Sequence, residues 1–200
     1  EDLTSYKDFA KAVATKKAVL CYGNPPYKRT ITNHNKLLGN FDGAIGVKTG
    51  FTKKSGRCLV SACRRDGVTL YCVTLSAPDD WNDHKSMYSY GFTLYKRVVL
   101  ETAGQFEYTA PVCGGDKESI TAHTRENASA VIRINGCDLR RVVYMRRFYY
   151  PEIEDGDIIG YVNYFNGDLI IASSAIYADY SVGEAIDDRG FFEKLKDLIN

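Results

Sequence analysis

The spacing of apolar residues changes character along this chain. Tyr6, Phe9, Ala10 and Val13 recur at three- and four-residue intervals, which predicts a short helix over residues 5–14. Val19–Tyr22 and Arg29–Thr32 read as short strands parted by Asn24-Pro25-Pro26. Glycines at 39, 43, 46 and 50 make the next stretch loop-rich, with Ile45–Thr49 as a strand inside it. Two β-rich runs, Arg57–Cys63 and Val68–Leu75, then flank Arg64-Arg65-Asp66-Gly67. Asp-Gly between such runs predicts a hairpin, because the turn needs positive φ and glycine supplies it freely. Ser76-Ala77-Pro78 closes the hairpin, and Asp79 or Asp80 can cap a helix from Trp81 to Lys96. Trp81, Met87, Tyr88, Phe92 and Tyr95 form its predicted buried stripe.

Beyond Val98 the period shortens. Phe106–Ala110, Ser119–Ala122, Ala130–Ile134, Val142–Tyr149, Ile158–Phe165 and Leu169–Ile176 are short β-rich runs. Turn residues such as Asn135-Gly136 and Asn166-Gly167-Asp168 separate them. Near-regular strands with such turns predict a small β-sandwich. The last segment is amphipathic: Phe191, Phe192, Leu195, Leu198 and Ile199 share one helical face, and charges take the other. The expected organisation is therefore 1–98, 99–188 as the β-sandwich, and 189–200 as the amphipathic terminus.

With 200 residues and a net charge of +1, the chain lacks the broad basic footprint of a nucleic-acid binder. No apolar run reaches the roughly 18 residues of a membrane span. Glu1–Lys7 has neither the basic start nor the apolar core of a signal peptide. None of the six cysteines is spaced C-x-x-C, and the three histidines are dispersed, so no metal or other cofactor is expected. Cys58, Cys63 and Cys72 lie in apolar runs and read as small buried hydrophobes. Arg140-Arg141 and Arg146-Arg147 read as a solvated strand face, His34 as a turn residue satisfied by backbone, and Trp81 as a core anchor.

Lys48-Thr49-Gly50 carries the candidate chemistry. Lysine offers a fixed positive charge to a carboxylate, and threonine a hydroxyl to hydrogen-bond it. Glycine removes a side chain that would keep a ligand off the strand. The tripeptide alone is weak, but its surroundings extend the pattern. Asn33-His34-Asn35-Lys36-Leu37-Leu38, Gly46-Val47-Lys48-Thr49-Gly50-Phe51-Thr52, Ser55-Gly56-Arg57-Cys58-Leu59-Val60, Arg65-Asp66-Gly67, Ala77-Pro78-Asp79-Asp80-Trp81-Asn82-Asp83-His84-Lys85 and Tyr90-Gly91-Phe92 follow in one order. In that order the chain resembles the D-alanyl-D-alanine carboxypeptidases, which are low-molecular-mass penicillin-binding proteins. The likeness covers about residues 5–97. It extends more weakly to their β-rich carboxy-terminal domain through Ile153-Glu154-Asp155-Gly156-Asp157-Ile158-Ile159-Gly160.

The resemblance implies an α+β fold: part of a penicillin-binding, β-lactamase-like antiparallel sheet with flanking helices, then a small all-β sandwich. It implies removal of the terminal D-alanine from peptidoglycan stem peptides through a serine acyl-enzyme. Lys48, Thr49, Gly50, Phe51 and Thr52 are the expected substrate-binding residues, with an oxyanion donor N–H near Phe51 or Thr52. It also implies β-lactam binding by the full-length protein and a place on the outer face of the bacterial plasma membrane or in the secreted fraction.

Two motifs of this chemistry are absent: no serine is followed by lysine at the third position, and S-x-N does not occur. Tyr22-Gly23-Asn24 only imitates the Y-x-N variant of the latter. The expectation is a carboxy-terminal fragment without a catalytic residue, inactive alone. Some relatives hold the substrate carboxylate with an arginine near the position of Asp80, which this chain lacks. The terminal segment Phe191–Ile199 either contacts a membrane surface or packs on the β-part. A truncated sheet would expose a face that could drive dimerisation. The alternatives are a non-catalytic positioning module of the cell envelope and a β-lactamase-like hydrolase.

Overall fold

The computed structural model describes residues 5–186. In chain order its elements are α1 (Lys7–Ala14), β1 (Lys17–Tyr22), β2 (Tyr27–Thr32), β3 (Ala44–Thr52), β4 (Gly56–Arg65), β5 (Val68–Thr74), α2 (Asp80–Leu94), β6 (Tyr95–Glu101), β7 (Glu107–Pro111), β8 (Ser119–Thr124), β9 (Ala128–Arg133), β10 (Leu139–Met145), β11 (Ile158–Asn166) and β12 (Leu169–Ala178). The fold is α+β, with antiparallel sheets and two helices among the described residues. It divides into two compact units. One takes in the chain up to Arg97 together with Val131–Gly136; the other takes in Val98–Ala130 and the chain from Cys137. The terminal segment Phe191–Ile199 lies outside the described residues.

In the first unit β3, β4 and β5 form an antiparallel sheet in that order, which leaves β3 with a free edge. Asp66 (φ 48°) and Gly67 (φ 76°) make the β4–β5 turn, the two consecutive positive-φ positions that the Asp-Gly pair predicts. Alternation along β4 sends Leu59, Ser61 and Cys63 to the α2 side, where all three are buried. Tyr88 of α2 completes this core with Leu37, its ring stacked between Phe41 (5.7 Å) and Phe92 (6.3 Å). A Cβ at Gly91 would stand 2.7 Å from Leu70 Cδ1, so α2 reaches β5 over a residue without a side chain. The opposite sheet face leaves Val60, Tyr71 and Val73 exposed.

Three expectations need correction here. The buried positions of α2 are Asp80, His84 and Tyr88, whereas Met87 and Tyr95 are exposed. The helix stops at Leu94, whose carbonyl accepts a hydrogen bond from Ile134 N (2.8 Å), and the chain turns directly into β6. A long-range pairing thus overrides the helical spacing that carries on to Tyr95. Only Cys63 is fully buried; Cys58 and Cys72 are half-buried, and all six cysteines are free thiols.

The second unit holds a five-stranded antiparallel sheet in the order β10-β11-β12-β8-β7. The inward residues Ala122, Val162, Tyr164 and Ile176 form a core with Ala128 of β9 and Leu100 of β6, which belong to a separate two-stranded sheet. A neighbouring cluster joins Ala110, Ile120, Tyr149, Ile153, Ala178 and Val182. Arg141 is an exposed strand residue, as expected, and in addition its Nη2 donates to Oε2 of buried Glu101 at 3.0 Å. The Tyr164 hydroxyl donates to the same oxygen. Burial, and then Glu101, push the Tyr164 phenol up to about 12.

Candidate functional site

The free edge of β3 presents Lys48, Thr49, Gly50 and Phe51 to an open cleft of about 590 Å³. Thr52 ends the strand, and its hydroxyl binds the turn instead: it lies 2.6 Å from Ser55 Oγ and accepts from Ser55 N at 3.0 Å. Lys48 Nζ donates to Thr49 O at 2.5 Å. A Cβ at Gly50 would meet only Cys58, at 3.7 Å or more, in ordinary contact. Packing therefore does not demand glycine at this strand-interior position, where glycine carries an entropic penalty.

The second wall comes from the loop after β2. Asn33 Nδ2 donates to Val13 O and Thr15 O, both at 3.2 Å, and so ties the loop to α1. Its Oδ1 accepts from Asn35 N (2.9 Å), and Asn35 Oδ1 accepts from Leu37 N (3.0 Å). Successive Asx turns of this kind fix the backbone with local bonds. They leave His34 and Lys36 lining the cleft. His34, expected as a turn residue with contact to a substrate channel as the alternative, lines the cleft.

The third wall is Arg57 with the start of α2. Arg57 sits on β4 opposite Phe51. Its Nε and Nη2 both donate to Asp80 Oδ1, at 3.2 and 2.6 Å, and its guanidinium stands 5.6 Å over the Trp81 ring. The Asp80 side chain is only 4% exposed, whereas that of Arg57 is 40% exposed toward the cleft. The bond to Asp80 raises the Arg57 pKa, so the charge is fixed. Asp80 also stands in the first turn of α2, where the helix dipole favours an anion. Lys36, Lys48 and Arg57 thus face one carboxylate that is already paired, and the cleft favours an anionic group. No serine is among its lining residues.

A buried network holds α2 against β4 beneath this wall. Ser61 Oγ lies 2.6 Å from His84 Nδ1 and 2.5 Å from Tyr88 Oη, and His84 Nε2 lies 3.0 Å from Thr74 Oγ1. Burial lowers the His84 pKa and keeps the ring neutral, and burial likewise raises that of Tyr88. The structure thus brings four of the five expected residues together and adds His34, Lys36, Arg57 and Trp81. Arg57 could have been suspected from the sequence, since a hairpin register carries β4 back past the Lys-Thr-Gly strand. Its partner Asp80, 23 positions away, could not.

This α+β frame is shared with solved penicillin-binding proteins. Penicillin-binding protein 5 from Haemophilus influenzae shares it with a TM-score of 0.59 at 21% identity, over 91% of this chain and 53% of that one. A peptidoglycan synthesis regulatory factor (PBP3) from Streptococcus pneumoniae does so at 0.66 and 20%, over 90% and 52%.

In sequence the chain is related to D-alanyl-D-alanine carboxypeptidases. It is 39% identical over 83 residues to that of a Streptomyces strain, covering 40% of this chain and 28% of the relative. It is 24% identical over 203 residues to DacF of Bacillus subtilis, covering 98% and 50%. It is 24% identical over 176 residues to DacC of Escherichia coli, covering 84% and 42%. The chain spans half or less of the length of each of these relatives. No family model matches it.

Proposed function

We propose that this chain is the substrate-carboxylate half of a serine-type D-alanyl-D-alanine carboxypeptidase acting on peptidoglycan stem peptides outside the cytoplasm. The observation that carries this reading is the cationic cleft along the free edge of β3. There Lys48 and Arg57 supply charge, the Thr49 hydroxyl supplies a directional hydrogen bond, and Gly50 lets an extended peptide approach the strand. The backbone N–H near Phe51 is the oxyanion donor. The terminal carboxylate of the stem peptide, or the carboxylate of a β-lactam, is the anion received. Phe51 borders the same cleft, while Thr52 shapes its end through Ser55.

With no serine lining the cleft, the nucleophile and its lysine base must come from elsewhere in a longer protein, and this chain alone does not acylate. The sheet face bearing Val60, Tyr71 and Val73 packs against that remainder, and in isolation it pairs two copies of the chain. No described helix is long and apolar enough to cross a membrane; contact with a membrane surface falls to Phe191–Ile199. Labelling by a fluorescent penicillin, read by intact mass, tests the reading. The expected result is one adduct on a longer protein that includes this chain and none on the chain itself. An adduct on this chain would overturn the fragment assignment. Absence of an adduct on the longer protein would favour a non-catalytic role.

A further inference from the structure

The second unit contains a groove that the proposed activity leaves unused. It lies over β10, β11 and the segment between them and encloses about 640 Å³. Tyr144 and Tyr161 are directly opposed on the two strands, so their side chains rise about 5 Å apart on one sheet face. They are 51% and 46% exposed, and Tyr150, which also lines the groove, is 63% exposed. The Phe148 ring meets Tyr150 edge-on with centroids 5.5 Å apart, which restrains it. Val162 and Ile176 fill the core on the other side of the sheet, and Met145, partly buried against that core, also lines the groove. The three rings therefore contribute little to folding and present amphipathic faces outward.

Polar groups of both signs surround them. Arg146, Glu152 and Asp157 line the same groove. Asp157 Oδ2 accepts from Glu154 N at 2.9 Å. The Arg146 guanidinium and the Glu152 carboxylate have no partner among the described residues. Ring faces beside mixed donors and acceptors suit a ligand with a flat apolar face, hydroxyl edges and no net charge. A pyranose has that form. An anionic lipid surface would meet two carboxylates in a concave site, and an extended peptide would use the free backbone edge of β10 rather than the rings.

We propose that this groove binds a neutral oligosaccharide, namely a chain of N-acetylated hexosamines such as the glycan of peptidoglycan. The choice of sugar rests on the carboxypeptidase reading; the preference for a saccharide does not. The full chain, labelled with nitrogen-15, is titrated with the N-acetylglucosamine tetramer and separately with cellotetraose. Amide shifts are expected on β10, β11 and residues 146–158 with the first sugar. Tyr161→Ala should weaken that binding about tenfold, and Tyr144→Ala similarly, with unchanged spectra elsewhere showing that the fold is kept. Shifts that map elsewhere, no shifts at millimolar sugar, or binding by both tyrosine variants as tight as by the unsubstituted chain overturn the site. Tyrosine-dependent binding of anionic vesicles or an extended peptide in place of sugar does the same. Binding of cellotetraose alone overturns the N-acetylhexosamine assignment. Sugar binding by a chain whose longer parent fails to take penicillin would sink the carboxypeptidase reading and leave the groove standing.

Discussion

Ser61→Ala tests how α2 is held to the sheet. Ser61 is fully buried, and its one hydroxyl serves both His84 Nδ1 at 2.6 Å and Tyr88 Oη at 2.5 Å. Alanine fits the same space, so cavity formation contributes little. The cost comes from two polar groups left in the core without that partner, each about 1–3 kcal/mol. His84 keeps Thr74 on its other nitrogen, which sets the expected loss at about 3 kcal/mol in total. Tyr88→Phe is the contrast. It removes one member and leaves Ser61 bonded to His84, so about 1 kcal/mol is expected. Trp81 is the only tryptophan in the chain and lies on α2, so its fluorescence during urea unfolding follows the first unit. A Ser61→Ala midpoint no lower than that of Tyr88→Phe would refute the reasoning. It would mean that His84 Nδ1 and the Tyr88 hydroxyl find water or each other, and that packing of Tyr88 alone secures the helix.

Two further outcomes follow from the same unit. Burial lowers the His84 pKa below its ordinary 6.5, so between the native value and 6.5 the unfolded chain binds a proton that the folded chain does not. Stability should then fall as pH drops below about 6.5 and level off above it; a Trp81 unfolding midpoint equal at pH 7.5 and 5.5 would show that charged His84 is tolerated. Gly50→Ala should leave that midpoint unchanged or raise it, by at most about 1 kcal/mol, since its Cβ makes only ordinary contacts. The same substitution should abolish binding of an acyl-D-alanyl-D-alanine peptide followed by amide shifts on β3, and retained binding would mean that the ligand does not lie against the strand.

Much of the first unit can be read from local signals. The β4–β5 hairpin follows from Asp66-Gly67 between two apolar runs, and the turn residues adopt the backbone that the pair implies. The Lys-Thr-Gly strand can be placed because glycines lead into it and the hairpin follows it. Local spacing fails where a distant residue decides. Tyr95 continues the helical stripe after Phe92, yet the carbonyl of Leu94 pairs with Ile134 and the chain leaves the helix. His84 carries no apolar signal, yet it lies at the centre of the core because Ser61 and Thr74 receive both ring nitrogens. In the second unit the strand runs are visible in outline, but Glu101 and Arg141 pair across 40 positions, and no spacing rule relates them.

The same division runs through the candidate site. Lys48, Thr49 and Gly50 are neighbours in sequence and act from one strand, so a tripeptide can reveal them. Their cationic counterpart needs three separate contributions. Arg57 comes from β4, the buried Asp80 carboxylate fixes its direction, and the Trp81 ring supports its plane. Asp80 in turn is held in place because Ser61, His84 and Tyr88 lock α2 to the sheet one turn further on. The family resemblance implies an arginine near the position of Asp80, so in the sequence alone Asp80 reads as the loss of a positive charge. In the folded chain it anchors one, and the cleft keeps Arg57 as a cation beside Lys36 and Lys48.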